Sequence, residues 1–564
     1  MTLLAIGVAG GVAAGQTVNA VVNAASGLVQ GLPNSGIAQG SIFLVVGSNL
    51  GPSPLAIAAN NFQTTNVGGT SVSITVGSTT VSAPMYYASA AQVAALLPSS
   101  TPTGAGTLTV TYNGTAGAAV AVSIVQNNLG IFTFTEDGQG VAEVTYPDGS
   151  LVSAVPGTGS LGGGGPDTYS GAANPGDMLT LWGTGLGPIS GDDASGAGLG
   201  QPITIPSSTP FTLWVGGVAA TVSYHGRSGY IGEDQINFTV PSTAPTGCAV
   251  PLAVQIGTLV SNYTAIPIAA GGRSCTMQNP AFTAAAVQAL TTGAGSINYA
   301  SLSLGRDIAS ESSSGTTYQD IGVGDFAQIS LSYGNLPNTQ PIVLSSLDTP
   351  PFGTCTASNS NASSQPLFTI VTGIDAGAIT VTAPPPDFPV VMKEQRGTGQ
   401  ATTYTSVFSP TGIYFGGGAY TITAAGGADV GKFTIPFTIT QTPSWPSSDQ
   451  SLVYNNGSGV TRANGVTINW TVGSPVYWVV ISGSAVTSAT DVFDGSVGVS
   501  FSCWVPSSAG KFAIPASVLL ALPGGNGGEI DFKPTLPPLG FSASGLEVGL
   551  LLFQYETSFF MPLN

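Results

Sequence analysis

One histidine, four cysteines, three adjacent acid pairs and six tryptophans are the side chains of this 564-residue sequence best suited to chemistry. His225 stands in Tyr224-His225-Gly226-Arg227, with Ser223, Ser228, Glu233 and Asp234 near it in sequence. A Ser/His/acid set can be written from these, because an imidazole that titrates near neutrality is the base such a set needs. With a single imidazole in the chain, the sequence instead predicts a solvated loop histidine and no enzyme. Glycoside hydrolysis would need two carboxylates facing one cleft. Glu136-Asp137, Asp192-Asp193 and Glu233-Asp234 each adjoin glycine, and neighbours on a strand point to opposite faces. They are predicted to be turn residues. No C-x-x-C pair or second histidine is present for zinc, and no D-x-[DN]-x-[DN]-G loop for calcium. No metal and no other cofactor is expected.

Trp182, Trp214, Trp445, Trp470, Trp478 and Trp504 offer flat faces that suit sugar rings. Trp182 and Trp214 lie inside predicted strands and are assigned to the core. Trp445, between Ser444 and Pro446, is the one predicted to be exposed, and so the candidate for ligand stacking. Cys248, Cys275, Cys355 and Cys503 allow three disulfide pairings. Cys248–Cys275 with Cys355–Cys503 is preferred, and four free buried thiols are the alternative.

The charge pattern narrows the partners. Charged residues are 6% of the chain, against about 25% in ordinary soluble proteins. Nine Lys and Arg against 26 Asp and Glu give a net charge of −17, and only Lys393 and Arg396 lie close together. Binding to nucleic acid, or to an anionic membrane, needs clustered cations. Neither is expected. With 43% hydrophobic residues in short runs, the chain should fold and face water with Ser, Thr, Asn, Gln and Gly. Met1 to Thr17 is apolar with small residues, like a signal peptide without its basic start, or else a first strand. No later run reaches the roughly 18–20 apolar residues of a membrane helix, so no membrane insertion is expected. The four cysteines fit an exported chain.

The elements that would carry these residues read as sheet. Ser71–Val76 and Thr107–Tyr112 alternate polar and apolar residues, with Gly77-Ser78 and Asn113-Gly114 as turns. Gly40–Pro52 aligns with Gly176–Pro188, and Ala91–Pro98 with Asp234–Pro241, which marks an internal duplication. The Gly47–Pro52 and Gly183–Pro188 segments lack the lysine of a phosphate loop and are predicted turns. Val21-Val22-Asn23-Ala24-Ala25-Ser26, the two glycine turns, Val215–Ala220, Gln235–Pro241 and Val260-Ser261-Asn262 together resemble an uncharacterised repeat family of secreted acidobacterial proteins. That family is similar to the immunoglobulin-like, plexin and transcription-factor (IPT/TIG) type of sandwich. The resemblance covers two copies in residues 18–270, the second closer than the first. It implies fold and export and brings no catalytic residues.

Residues 271–441 are predicted as a β-rich domain and 442–564 as a further β-sandwich, the last with a strand over Phe512–Leu522. The whole is expected to be all-β: a leader-like segment 1–17, immunoglobulin-like β-sandwich repeats at 18–127 and 128–270, then those two units. The function predicted is a non-catalytic secreted or cell-surface protein, structural or adhesive, self-associating into filaments through unpaired strand edges. The alternative is an extracellular protein that binds cell-surface or matrix polysaccharide.

Overall fold

A computed structural model describes residues 15–60, 62–159, 167–191, 193, 200–206, 209–278, 296–311, 315–331, 348–359, 368–409, 413–453, 458–487 and 497–564. Residues 1–14 of the predicted leader, and Asp192, lie outside the described residues; the first strand is Thr17–Asn23. The fold is all-β, built from immunoglobulin-like β-sandwiches.

Alternation sets the first module. Thr70, Val72, Ile74 and Val76 of strand Thr70–Val76 face inward and are buried, while Ser71, Ser73 and Thr75 face outward. A five-stranded and a six-stranded sheet close on Phe43, Val45, Val72, Ile74, Leu108 and Val110. The second module repeats the pairing. Ile42–Ser48 pairs antiparallel with Gln92–Leu96, as Met178–Thr184 does with Asp234–Thr239. Thr70–Val76 pairs with Gly104–Tyr112, as Phe211–Val215 does with Gly247–Ile256. Even the parallel contact recurs, Ile37 with Ile124 and Ala173 with Ile268. The aligned sequence blocks therefore occupy equivalent strands.

The second half is organised differently from the expected pair of domains. One eleven-stranded sheet draws strands from both sides of the 441/442 boundary. Its centre is Val548–Leu563, which lies parallel to Ser296–Glu311 and antiparallel to Gly525–Thr535. Such a return, from Tyr299 to Val548 and so across about 250 residues, leaves no local trace in the sequence. One face of this sheet carries two layers. A four-stranded sheet, including Ile379–Thr382, Gly418–Ala424 and Phe433–Ile439, closes a core around Leu302, Phe326, Tyr404 and Phe553. The strand pair Val466–Asn469 and Lys511–Ile514, with helices Ser447–Val453 and Ala516–Leu520, closes another around Ile481, Phe501, Phe532 and Met561. The strand predicted over Phe512–Leu522 thus stops at Ile514. Pro515 has no N–H to donate to a ladder, and it starts the helix instead.

The modules are packed on each other. Strand Gly247–Ile256 is buried at nine of ten positions, because one face meets its own core and the other meets the second half. Tyr263 Oη donates to Ser517 Oγ across that contact at 3.1 Å. Both disulfides of the preferred pairing are present, Cys248–Cys275 and Cys355–Cys503.

Candidate functional site

The seam between the first two modules is polar and buried. Arg227 and Asp234 are both fully buried and bonded Nε to Oδ1 at 2.9 Å. Arg227 Nη1 also donates to Gly40 O (2.5 Å) and Nη2 to Gly187 O (3.0 Å). Asp234 Oδ2 accepts from the backbone N–H groups of Gly185 and Leu186, each at 2.6 Å. The glycine turn that looks like a phosphate loop is therefore occupied by a carboxylate of its own chain. Glycine is required at residue 40: its φ is +74°, and a Cβ there would lie 2.7 Å from Arg227 Nη2.

Asn23, at the head of the repeat motif, donates from Nδ2 to Asn128 O (3.1 Å) and Thr184 O (3.0 Å). Asp193 accepts from Ser99 N (2.9 Å) and Ser99 Oγ (2.5 Å). Of the acid pairs predicted to be turn residues, Glu136-Asp137 does lie in a turn, with Asp137 Oδ1 accepting from Gln139 N at 2.9 Å. Asp234 is corrected, since it opens strand Asp234–Thr239, and both it and Asp193 are buried partners of this seam.

Beside the locked seam lies a cleft of about 490 Å³ with walls from both modules. Module one contributes Ile42, Leu44, Phe62, Tyr86, Tyr87 and Gln92, and module two contributes Phe132, Phe134, Glu136 and Glu143. Phe62 and Tyr86 stack with centroids 5.5 Å apart, and Tyr86 tilts against Tyr87 at 5.8 Å. Tyr87 Oη donates to Gln92 Oε1 at 2.7 Å. Burial, then the charge of Glu136, pushes the Tyr87 hydroxyl up to about 12. Glu136 has a left-handed backbone, φ +57°, a conformation non-glycine residues seldom hold without surrounding support. Sequence reasoning missed these aromatic residues. The signal was Ile42–Val46, apolar at every position, which requires cover on both faces of the strand.

A second, open groove of about 720 Å³ runs between the two layers of the second half. Tyr555, Phe415 and Arg306 line it, and Tyr318 (44% exposed) and Ile413 (60%) line it while facing water. Arg306 is neutralised by Asp320 through Nε–Oδ1 (2.6 Å) and Nη2–Oδ2 (2.8 Å). Gln441, Thr442, Ser444 and Gln450 supply neutral polar groups.

Of the sequence-predicted residues, Glu136 lines the cleft and Trp445 borders this groove, while the others fall elsewhere. Trp445 is 5% exposed, not a ligand platform: its indole packs on Phe532 and Phe559 and donates to Asp449 Oδ2 at 2.8 Å. Its Ser and Pro neighbours mark the start of a helix rather than an open loop. Trp445→Phe is expected to lower stability by about 1–2 kcal/mol in denaturant titration, since Asp449 loses a buried donor. Trp182 and Trp214, assigned to the core, instead lie partly exposed on outer sheet faces, bonded to Thr145 Oγ1 (3.0 Å) and Gln255 Oε1 (3.1 Å). Leu179 and Leu181, or Leu213 and Val215, take the inward positions around them. His225 belongs to strand Thr221–Arg227, not to a loop, with its ring stacked on Phe211 at 4.4 Å. Burial lowers its pKa. Ser228 Oγ donates to Glu233 Oε1 (3.1 Å).

On the uncovered face of the long sheet, Lys533 Nζ bridges Glu556 Oε1 (2.8 Å) and Asp531 Oδ2 (3.3 Å). Glu529 is pushed up to about 7, first by burial and next by the charge of Asp531. The folded carboxyl thus holds a proton that the unfolded one, at its ordinary 4.5, releases. The resulting stabilisation is full below about pH 4.5 and is lost as pH rises through about 7. The melting temperature is expected to fall between pH 5 and pH 8, and Glu529→Gln should flatten that slope. Among the described residues, no group of three or more His, Cys, Asp or Glu is arranged to hold a metal ion. No helix among them is long and apolar enough to cross a membrane.

No family model matches the chain, and no curated relative does. Among solved structures it is similar to SGBP-B from a complex xyloglucan utilization locus in Bacteroides uniformis, with 11% identity, 70% of this chain and 87% of that one covered, and a TM-score of 0.17. It is also similar to the Escherichia coli adhesin FdeC, with 10% identity, 73% and 94% coverage and a TM-score of 0.12. Domains 5–6 of the S-layer protein SbsC give 12% identity, 50% and 97% coverage and a TM-score of 0.12. Likenesses at these scores add no argument about ligand or assembly.

Proposed function

We propose that this chain is an exported, non-catalytic cell-surface protein whose locked β-sandwiches hold binding surfaces at fixed spacing. Its first two modules are, on this reading, copies of the acidobacterial repeat that their motifs resemble. The observation that carries it is the buried polar seam: a fully desolvated ion pair with backbone partners in both modules leaves the joint little freedom. Two disulfides support an oxidising compartment. The stacking of His225 on Phe211, with Ser228 Oγ donating to Glu233, supports a non-catalytic role. Protease treatment of intact source cells tests the location. Loss of the protein to added protease supports surface display, and protection until lysis sinks it.

Assembly into filaments is a finer proposal. Two strand edges carry guards against pairing: Pro436 within Phe433–Ile439, and Lys393 and Glu394 on Lys393–Gln395. Light scattering over a concentration series decides it, since a mass fixed at one chain removes assembly. The second reading, polysaccharide binding, is favoured by the groove of the second half. Its lone cation is neutralised by Asp320, and amides, hydroxyls and an exposed tyrosine line it, which suits an uncharged glycan. Affinity electrophoresis in gels cast with neutral polysaccharides tests it. Retardation lost in Tyr318→Ala supports the groove, and free migration in every gel removes this reading.

A further inference from the structure

We propose that the cleft between the first two modules binds a small organic cation carrying an aliphatic ammonium group. This site is separate from the groove and does not depend on the polysaccharide reading. Its walls are aromatic on both sides, with Tyr86 exposed to 36% and backed by Phe62, and Phe132 and Phe134 facing from the other module. Aromatic faces are the negative ends of ring quadrupoles and attract cations that have left water. Glu136 and Glu143 add two carboxylates to the same lining, and no Lys, Arg or His lines it among the described residues. The chain's net charge of −17 biases the surrounding field the same way.

The polar groups of the cleft also favour a donor-only ligand. The Tyr87 hydroxyl proton already goes to Gln92 Oε1, and Thr133 Oγ1 accepts from Gly138 N. The carboxylates only accept, whereas an ammonium only donates. A neutral sugar could meet the Gln92 amide N–H groups and the Thr133 hydroxyl but would bring no positive charge to the two carboxylates. The volume, about 490 Å³, suits a free small molecule and is too small for a folded partner. The Arg227–Asp234 seam fixes the two walls relative to each other, so the cleft needs no closure before binding.

Calorimetry on the full chain at low salt, with methylammonium and putrescine as probes, tests this. Both cations should bind at millimolar or lower concentration, and methyl glucoside should not. Tyr86→Leu keeps an apolar side chain and removes the ring; Glu136→Gln removes one charge from an exposed turn without touching a core. Each should weaken binding about tenfold, and added sodium chloride should weaken it further. No heat with either cation, methyl glucoside binding in their place, or cation binding that Glu136→Gln leaves unchanged would each overturn the proposal. Should Tyr86→Leu lose its folded circular-dichroism spectrum, Glu136→Gln and the salt series still decide.

Discussion

Replacing Cys355 and Cys503 together by alanine is expected to cost about 5 kcal/mol, against about 3.5 kcal/mol for Cys248 and Cys275. The difference comes from the unfolded chain. The first bridge joins residues 148 apart and the second residues 27 apart, and closing the longer loop removes more chain entropy. Cys355 and Cys503 face each other on the paired strands Thr354–Asn359 and Gly498–Pro506, so the bridge also pins the edge of the eleven-stranded sheet. Both side chains lie in the core that holds Trp445 and Trp470. Urea unfolding of the two double variants, followed by tryptophan fluorescence, measures both costs. Equal midpoints, or a larger loss from Cys248 and Cys275, would show that this bridge acts on the folded state rather than through loop closure.

What could be read from the residues follows the reach of each signal. Strand and turn positions in the first two modules were legible because a half-buried strand writes its wet face every second residue, as Ser71, Ser73 and Thr75 do. The duplication was legible because equivalent turns need the same glycines, and both copies keep them. The asparagine of the Asn23-Ala24-Ala25-Ser26 motif was visible, but its purpose was not. Asn23 clips the first strand to the next module through Nδ2, a contact spanning 161 residues to Thr184.

The same limit explains the errors. Whether Trp182 or Leu181 faces the core is a question of one residue in strand phase, and both are apolar. Trp445 was misplaced because serine and proline suit a helix start as well as an open loop. The division at residue 441 failed because pairing of Ser296–Glu311 with Val548–Leu563 depends on complementarity between distant segments, each a plausible strand alone. The aromatic cleft needs two modules in contact, and nothing in either one specifies the angle between them.

Arg227→Ala is expected to cost about 3–5 kcal/mol and to loosen the first two modules from each other. The substitution leaves the Asp234 carboxylate fully buried beside two backbone amides but without its cation. It also leaves the carbonyls of Gly40 and Gly187 facing the space the guanidinium filled. The charge, more than the lost contacts, sets the size of the effect. Arg227→Met with Asp234→Leu should therefore cost less than either single change, since an apolar pair leaves no ion out of water. The remaining cost belongs to the amides of Gly185 and Leu186 and the carbonyls of Gly40 and Gly187, which then lose their partners. Thermal unfolding of the two single variants and the pair gives the coupling energy directly. Small-angle scattering of Arg227→Ala should show a larger maximum dimension, because Gly40 lies in one module and Asp234 in the other. A loss under about 1 kcal/mol with unchanged scattering would mean that the seam is held by Asn23, Thr184 and Asp193 instead, and that the rigidity ascribed to the ion pair is theirs.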